Sequence, residues 1–318
     1  MKRRLIIHQP TNFYSNKYRY YNIFFDNLIK RLSEIHDVIV DRYQKNVHKG
    51  RVEIELGWYD DQDFYIEMQD CEMIIEDYDT KETQVLSVSD DLTPTSLNLQ
   101  SYENTKKIFI AQFIRDKVYH HVSKENHHKY YPWIYFPSNQ YDLEKYYQKR
   151  QEIKPQDSRM YFRGETDTRS ILHHFEPEVF YGGKSIGGFY SYAEELMNFK
   201  LGLSVAGRGE MCYRDVEYMA MGIPFIRFEY TTEFLEPLIP NFHYISVERP
   251  DDLKDWMKLD RTGEKHHADM IVERYNQVKD DMEFLNFISK NARTYYENYL
   301  SPTASVDFTI KMMGYEVQ

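Results

Sequence analysis

Between residues 159 and 230 apolar, strand-like runs alternate at short spacing with helix-like segments, and this alternation restricts the chain to an α/β architecture with a parallel sheet. RMYFRG (159–164) reads as a strand, TDTRSILHHF (166–175) as a helix, YGGKSIGG (181–188) as a glycine-rich turn and YSYAEELMNF (190–199) as a helix. LGLSVAG (201–207) is the next strand, a helix runs from about Cys212 to Met221, and PFIRFEY (224–230) returns as a strand. Parallel neighbours cannot be joined by a tight hairpin, so the helices supply the crossovers.

The first half opens in the same way. RLIIH (4–8) is a short strand, and NIFFDNLIKRLSEI (22–35) is helical because Phe24, Leu28 and Leu32 recur every four residues. HDVIVDRY (36–43) follows as a strand, completing a βαβ unit. CEMIIEDYD (71–79) and TQVLSVSDD (83–91) read as two strands around a polar turn, and IFIAQF (108–113) as another. A segment rich in Tyr, Pro and charge (129–157) interrupts the pattern, and the domain junction is placed inside it near residue 150. The expected domains are therefore 1–150 and 151–318, a division that suits 318 residues of which 42% are hydrophobic. HYISV (243–247) supplies a late strand, and polar helices ending in NARTYYENYL (291–300) close the chain.

Composition removes several classes of function. A net charge of -11 from 40 basic and 51 acidic residues gives no broad basic surface, so no nucleic acid is expected as partner. The two cysteines, Cys71 and Cys212, have no CxxC spacing, which argues against a disulfide framework or a zinc site and for a reducing, cytoplasmic location. The apolar stretch after MKRR is too short for a signal-peptide core or a membrane span, so no transmembrane segment is expected. The His pairs 120–121, 127–128, 173–174 and 266–267 place neighbouring rings on diverging directions, and no metal site is expected from them. The 29 tyrosines are read first as core and half-buried residues, and only second as platforms for sugar rings.

The stretch SVAGRGEMCYRDVEYMAMGIPFIRFEY (204–230) carries most of the chemistry. A strand ends in a Gly-Arg-Gly loop that feeds a helix, at the carboxyl end of a parallel strand where open α/β sheets bind ligands. Arg214 and Glu217 share one face of that helix near its start, where backbone N–H groups already favour an anion. Arg208 and Arg214 suit diphosphate oxygens, and Glu217 suits two ribose hydroxyls. The competing reading is an ordinary i,i+3 ion pair beside a helix-terminating glycine. In YFRGETDTR (161–169), Arg163 stands at a strand mouth and Arg169 in the first turn of the expected helix, where a cation opposes the helix dipole unless an anion is bound. Lys184 lies in a glycine-rich segment without Walker spacing and is read as part of a flexible turn.

EYMAMGIPFI (217–226), a Glu followed five residues later by Gly and seven later by Pro, resembles the donor-site signature of GT-B superfamily glycosyltransferases. MNFKLGLSVAGRG (197–209), with Arg214 in the following helix, has a weaker similarity to exostosin-like families. Position 209, where many retaining members carry a Glu, is Gly here, with Glu210 one residue later. The resemblance covers about a third of the chain. It implies a GT-B fold, two Rossmann-like α/β domains facing across a cleft, with an acceptor domain at 1–150 and a donor domain at 151–318 whose C-terminal tail packs back on the first domain.

The activity implied is transfer of a sugar from a UDP- or GDP-sugar to a hydroxyl of a glycan acceptor, without cofactor or metal. Donor-binding candidates are Arg163, Arg169, Arg208, Arg214 and Glu217. The resemblance places the catalytic base in the first domain, with Asp90 first and His8 second, and with Asp79 and Asp91 behind them. Two other readings stay open. One is a metal-dependent GT-A glycosyltransferase using Asp77 and Asp79 of MIIEDYD, and the other is a non-catalytic sugar-nucleotide or carbohydrate-binding protein.

Overall fold

A computed structural model of the chain describes residues 2–10, 19–43, 72–87, 104–134, 142–164, 169–184, 187–207, 209–250 and 265–316. These fall into two compact units, one formed by residues 1–140, 232–236 and 302–318, the other by 141–231 and 237–301.

The first unit begins with β1 (Arg4–Pro10), α1 (Arg19–Ile35) and β2 (Asp37–Tyr43). Leu5 and Ile7 of β1 and Phe24, Phe25, Leu28 and Leu32 of α1 are all fully buried, because the period of two on the strand and of four on the helix each concentrate apolar groups on one face. β3 (Glu72–Asp77) and β4 (Thr83–Ser87) form a hairpin, followed by β5 (Thr105–Ile110), α2 (Arg115–His121), a 3-10 turn (Lys124–Lys129) and β6 (Tyr130–Pro132). The sheet order is β2-β1-β3-β4-β5-β6. β3 runs antiparallel to both of its neighbours, while the other pairs are parallel.

The second unit starts with α3 (Leu143–Glu152), so a junction at residue 150 would cut a helix of this unit. Asp142 caps α3 by accepting from Lys145 N at 3.1 Å, which sets the helix start within the Tyr- and Pro-rich segment. Then come β7 (Asp157–Gly164), a 3-10 turn (Ser170–His174), β8 (Phe180–Lys184), α4 (Phe189–Leu196), β9 (Phe199–Leu203), α5 (Tyr213–Ala220), β10 (Phe225–Phe228) and β11 (Ile245–Val247). α6 (Lys265–Val278) and α7 (Met282–Tyr295) follow, and the last turn widens to a π-helical segment at Tyr296–Leu300. All five strands are parallel, in the order β11-β10-β9-β7-β8. Met160, Tyr161 and Phe162 of β7 are fully buried in succession, the signature of a strand covered on both faces.

The segment 181–188, expected as a turn, instead contributes most of the edge strand β8. Gly182 is required there, because a Cβ would lie 1.7 Å from the Phe162 carbonyl oxygen across the ladder. Of the helix expected at 166–175, only the 3-10 turn falls within the described residues.

The chain then returns to the first unit as α8 (Pro302–Met313), which packs on α1. Trp133 Nε1 donates to Thr309 Oγ1 at 3.1 Å, Lys107 Nζ to the Met312 carbonyl at 2.9 Å, and Gln84 Nε2 to the Met313 carbonyl at 3.0 Å. Each unit is a Rossmann-like α/β layer structure, the kind of fold the GT-B resemblance implied for each half. No helix among the described residues is long and apolar enough to cross a membrane.

Candidate functional site

The sheet of the second unit has a single reversal of winding. From β7 the chain steps outward to β8 and then returns past β7 to β9, β10 and β11, so β7 and β9 are neighbours whose following loops diverge. The carboxyl ends of such a pair form the crevice in which open α/β sheets hold ligands. Gly164 ends β7, residues 204–212 follow β9, and α5 starts directly behind them.

α5 brings two of the expected residues to this place. The Arg214 guanidinium stacks 3.9 Å from the Phe162 ring centroid and donates one bond, from a terminal nitrogen, to the Arg163 carbonyl at the end of β7. Its Nε and other terminal nitrogen are buried and have no hydrogen-bond partner. Gly164 makes the approach possible, since a Cβ there would come within 2.2 Å of Arg214. A charged group with two unpaired donor nitrogens, at the end of the sheet where open α/β folds hold ligands, makes Arg214 a candidate to receive an anion. One turn on, burial pushes the Glu217 carboxyl up to about 7 against the opposing pull of Arg214 and of the Tyr192 hydroxyl on α4.

Arg163 and Arg169 reach the same end of the sheet but are committed to protein partners. Arg163 forms a two-pronged pair with Glu195 of α4, at 2.9 and 3.0 Å. Glu195 also accepts from Tyr161 at 2.8 Å and Tyr181 at 2.9 Å. Led by the Arg163 bonds, these contacts hold the Glu195 carboxyl down at about 2. Arg163 therefore anchors β7 to α4 and offers its backbone carbonyl, rather than its charge, to Arg214. Arg169 is buried, with Nε 3.4 Å from the Val205 carbonyl, and rests against Gly207, where a Cβ would be 2.3 Å from its guanidinium. It supports the loop after β9 from beneath. Arg208 lies outside the described residues.

A buried polar network fixes that loop, and sequence reasoning did not find it. Asp215 closes a capping box by accepting from Cys212 N at 2.8 Å, receives the Ser204 hydroxyl, and pairs with Arg227 of β10 at 2.9 Å. Fully buried Glu210 accepts from Thr231 N at 2.9 Å and from the Thr231 hydroxyl at 3.0 Å, and pairs with Arg249. Glu210 is thus a structural acid turned into the protein. α5 ends at Gly222, whose φ of 64° is the left-handed conformation that terminates a helix, while Ile223 N bonds back to the Tyr218 carbonyl at 2.8 Å. The Gly-x-Pro spacing of the motif is therefore the helix stop that allows β10 to start beside β9. One signal for Glu195 was present: it lies three residues after Tyr192, on a helix whose Ala193 and Leu196 are buried.

In the first unit, His8 lies between two carboxylates, with Nδ1 3.1 Å from Asp41 and Nε2 3.2 Å from Glu76. Burial raises the Glu76 carboxyl, but bonds from His8 and Lys81 outweigh it and the net direction is down. Asp90 and Asp91 lie outside the described residues. Asp77 and Asp79 are turn and pairing residues: Asp77 Oδ1 accepts from Asp79 N and Thr80 N, each at 3.1 Å, and Asp79 pairs with Arg4. This use of both side chains in the β3–β4 hairpin removes the ground for reading them as a cation-binding pair. Among the described residues, no group of three or more His, Cys, Asp or Glu side chains is placed to hold a metal.

No protein-family model matches the chain, and no curated protein matches it. Among solved structures it is similar to a glycosyltransferase from Rickettsia africae, at 12% identity and a TM-score of 0.47 over 98% of this chain and 97% of that one. It is similar to HepE of Anabaena, crystallised with UDP-glucose, at 11% identity and a TM-score of 0.42 over 72% and 71% of the two chains. It is also similar to WaaG, a glycosyltransferase involved in lipopolysaccharide biosynthesis, at 14% identity and a TM-score of 0.35 over 65% and 63%. Likeness at this level leaves the chemistry of the chain to its own residues.

Proposed function

We propose that the protein is a glycosyltransferase of the GT-B kind that binds a UDP- or GDP-sugar at the β7–β9 crevice and transfers the sugar to a hydroxyl of a glycan acceptor. The observation that carries this reading is the Arg214 guanidinium, buried at the switch point with two donor nitrogens unused. A diphosphate supplies acceptor oxygens for both. Glu217, one turn further along α5, is the group suited to the ribose hydroxyls, and when ionised it accepts from both of them.

In the transfer, the acceptor oxygen forms a bond to the anomeric carbon while the bond from that carbon to the diphosphate breaks. The diphosphate departs with the bonding pair, and its added negative charge is what Arg214 offsets. In an inverting reaction the acceptor proton passes to a base, for which Asp90 and His8 are the candidates. His8 acts in this way only when a ring nitrogen is released from Asp41 or Glu76, and Asp41 is the more exposed of the two. Metal independence belongs to the same proposal, because it assigns to arginine the charge that a cation would otherwise offset.

The test is calorimetric titration of the protein with UDP, GDP and their sugars, with and without EDTA, followed by product analysis. The reading expects nucleotide-dependent binding that survives EDTA and falls about tenfold or more in Arg214→Gln, the loss of charged hydrogen bonds. Binding equal in wild type and Arg214→Gln would refute it.

A further inference from the structure

At the opposite end of the same sheet lies a cavity of about 500 Å³. It is bounded by the stretch that follows α3, by the amino ends of β7, β9 and β10, and by the first two turns of α7, all within the second unit. Gly222, which lines the cavity, follows Arg214 by eight residues just past the end of α5, so roughly 12 Å of helix, at about 1.5 Å per residue, lies between the two places.

The lining includes Arg150, Lys154 and Lys200 and not a single carboxylate. In a chain of net charge -11, three cations around one cavity without an acid run against the composition. None of the three makes an ion pair among the described residues. Arg150 is held rigidly, with one terminal nitrogen donating to the Phe199 carbonyl at 3.0 Å and the other to the Lys200 carbonyl at 3.3 Å. Those bonds fix the guanidinium but leave its charge uncompensated, and burial lowers its pKa to about 10. The lining also includes the apolar Leu285 and Pro224 and the amide-bearing Asn286. A volume of this size, lined by three cations together with apolar and amide residues, is that of a site for a small organic anion.

We propose that this cavity is a second ligand site, which takes a small phosphorylated metabolite. Its phosphate sits among Arg150, Lys154 and Lys200, and its organic part lies against Leu285 and Asn286. The site is separate from the donor crevice. Phosphate suits three cations better than a carboxylate does, because its oxygens diverge and can meet donors approaching from several directions.

Titration calorimetry with glucose 1-phosphate, glycerol 3-phosphate, inorganic phosphate and neutral glucose tests this on four proteins: wild type, Arg150→Gln, the double variant Lys154→Gln/Lys200→Gln, and Arg214→Gln. The expected result is that at least one phosphate ester binds and glucose does not, that Arg150→Gln and the double lysine variant each weaken ester binding about tenfold or more, and that Arg214→Gln leaves it unchanged. The double variant replaces side chains without ion pairs, so the test stands even if Arg150→Gln fails to fold. Ester binding that is lost in Arg214→Gln but kept in the lysine variant would overturn the proposal, as would no binding of any ester at millimolar concentration.

Discussion

Replacing Arg214 by Met separates what a binding residue does from what a structural one does. Three terms act on the free protein. Loss of the stack on Phe162, at 3.9 Å, removes roughly 0.5–2 kcal/mol. Loss of the charged bond to the Arg163 carbonyl removes roughly 1.5–3 kcal/mol. Against these, Met relieves the burial of a guanidinium that has two unused donors, a penalty of several kcal/mol, and it keeps the volume and the contact with the ring. The terms nearly cancel, so Arg214→Met is expected to move the free protein by no more than about 2 kcal/mol in either direction. Arg227→Met is the contrast, because it strips the fully buried Asp215 of its 2.9 Å partner and should cost about 3–5 kcal/mol. Urea midpoints for wild type and both variants, with and without UDP, read the two effects together. Wild type should gain about 2.7 kcal/mol with UDP at a hundred times its Kd, while Arg214→Met gains far less. If Arg214→Met unfolds as readily as Arg227→Met, or keeps the full stabilisation by UDP, the reading of Arg214 as a poised anion ligand fails.

Gly164→Ala puts a Cβ 2.2 Å from the flexible end of Arg214, and is expected to weaken UDP binding about tenfold while stability moves by less than about 1 kcal/mol; calorimetry and thermal melting report the two separately. The Glu217 carboxyl is raised from 4.5 to about 7 in the folded protein, so its contribution to stability is complete below 4.5 and is lost as pH rises through 7, a fall on the order of 3 kcal/mol. Wild type should therefore lose stability relative to Glu217→Gln across that window, and a difference that does not change with pH would contradict the burial assigned to this acid. Glu210→Ala removes the buried carboxylate that pairs with Arg249 and accepts from Thr231 N, and should lower the urea midpoint by the equivalent of about 3–5 kcal/mol. For the acceptor side, Asp90→Asn and His8→Ala are measured for transfer and for UDP affinity. The true base loses about 100-fold or more in turnover with affinity unchanged, and near-normal turnover in both variants shifts the search to Asp79 and Asp91.

The parts of the site legible in the sequence were those written in local spacing. Arg214 and Glu217 share a helix face because they are three residues apart, and the strand, glycine loop and Gly-x-Pro stop are all contained in residues 199–224. What stayed hidden depended on partners distant in the chain. Arg163 looks like a free cation at a strand mouth until α4 brings Glu195 to it, and Glu210 looks like a displaced catalytic acid until Thr231 and Arg249 close on it. β8 reads as a turn in the sequence because YGGKSIGG has the composition of one. Only the approach of the Phe162 carbonyl shows why glycine occupies a strand position there. The antiparallel β3 was implicit in the short polar turn to β4, where Asp77 gathers its own backbone N–H groups.

The return of α8 to the first unit has a consequence for how the protein is made. His36, Gln84, Lys107 and Trp133 all bond to the segment 309–315, so the sheet that begins at residue 4 acquires one of its covering helices only from the last part of the chain. During synthesis the second unit has all of its described strands by residue 247, while the first still lacks α8. Vectorial folding therefore runs against the order of the genetic message: the unit encoded in the middle can close first, and the one encoded at the start waits with Leu5, Ile7 and Phe24 incompletely covered. Nascent chains arrested before residue 302 should present that unfinished sheet to chaperones and proteases, and release of the last segment should be the step that withdraws it.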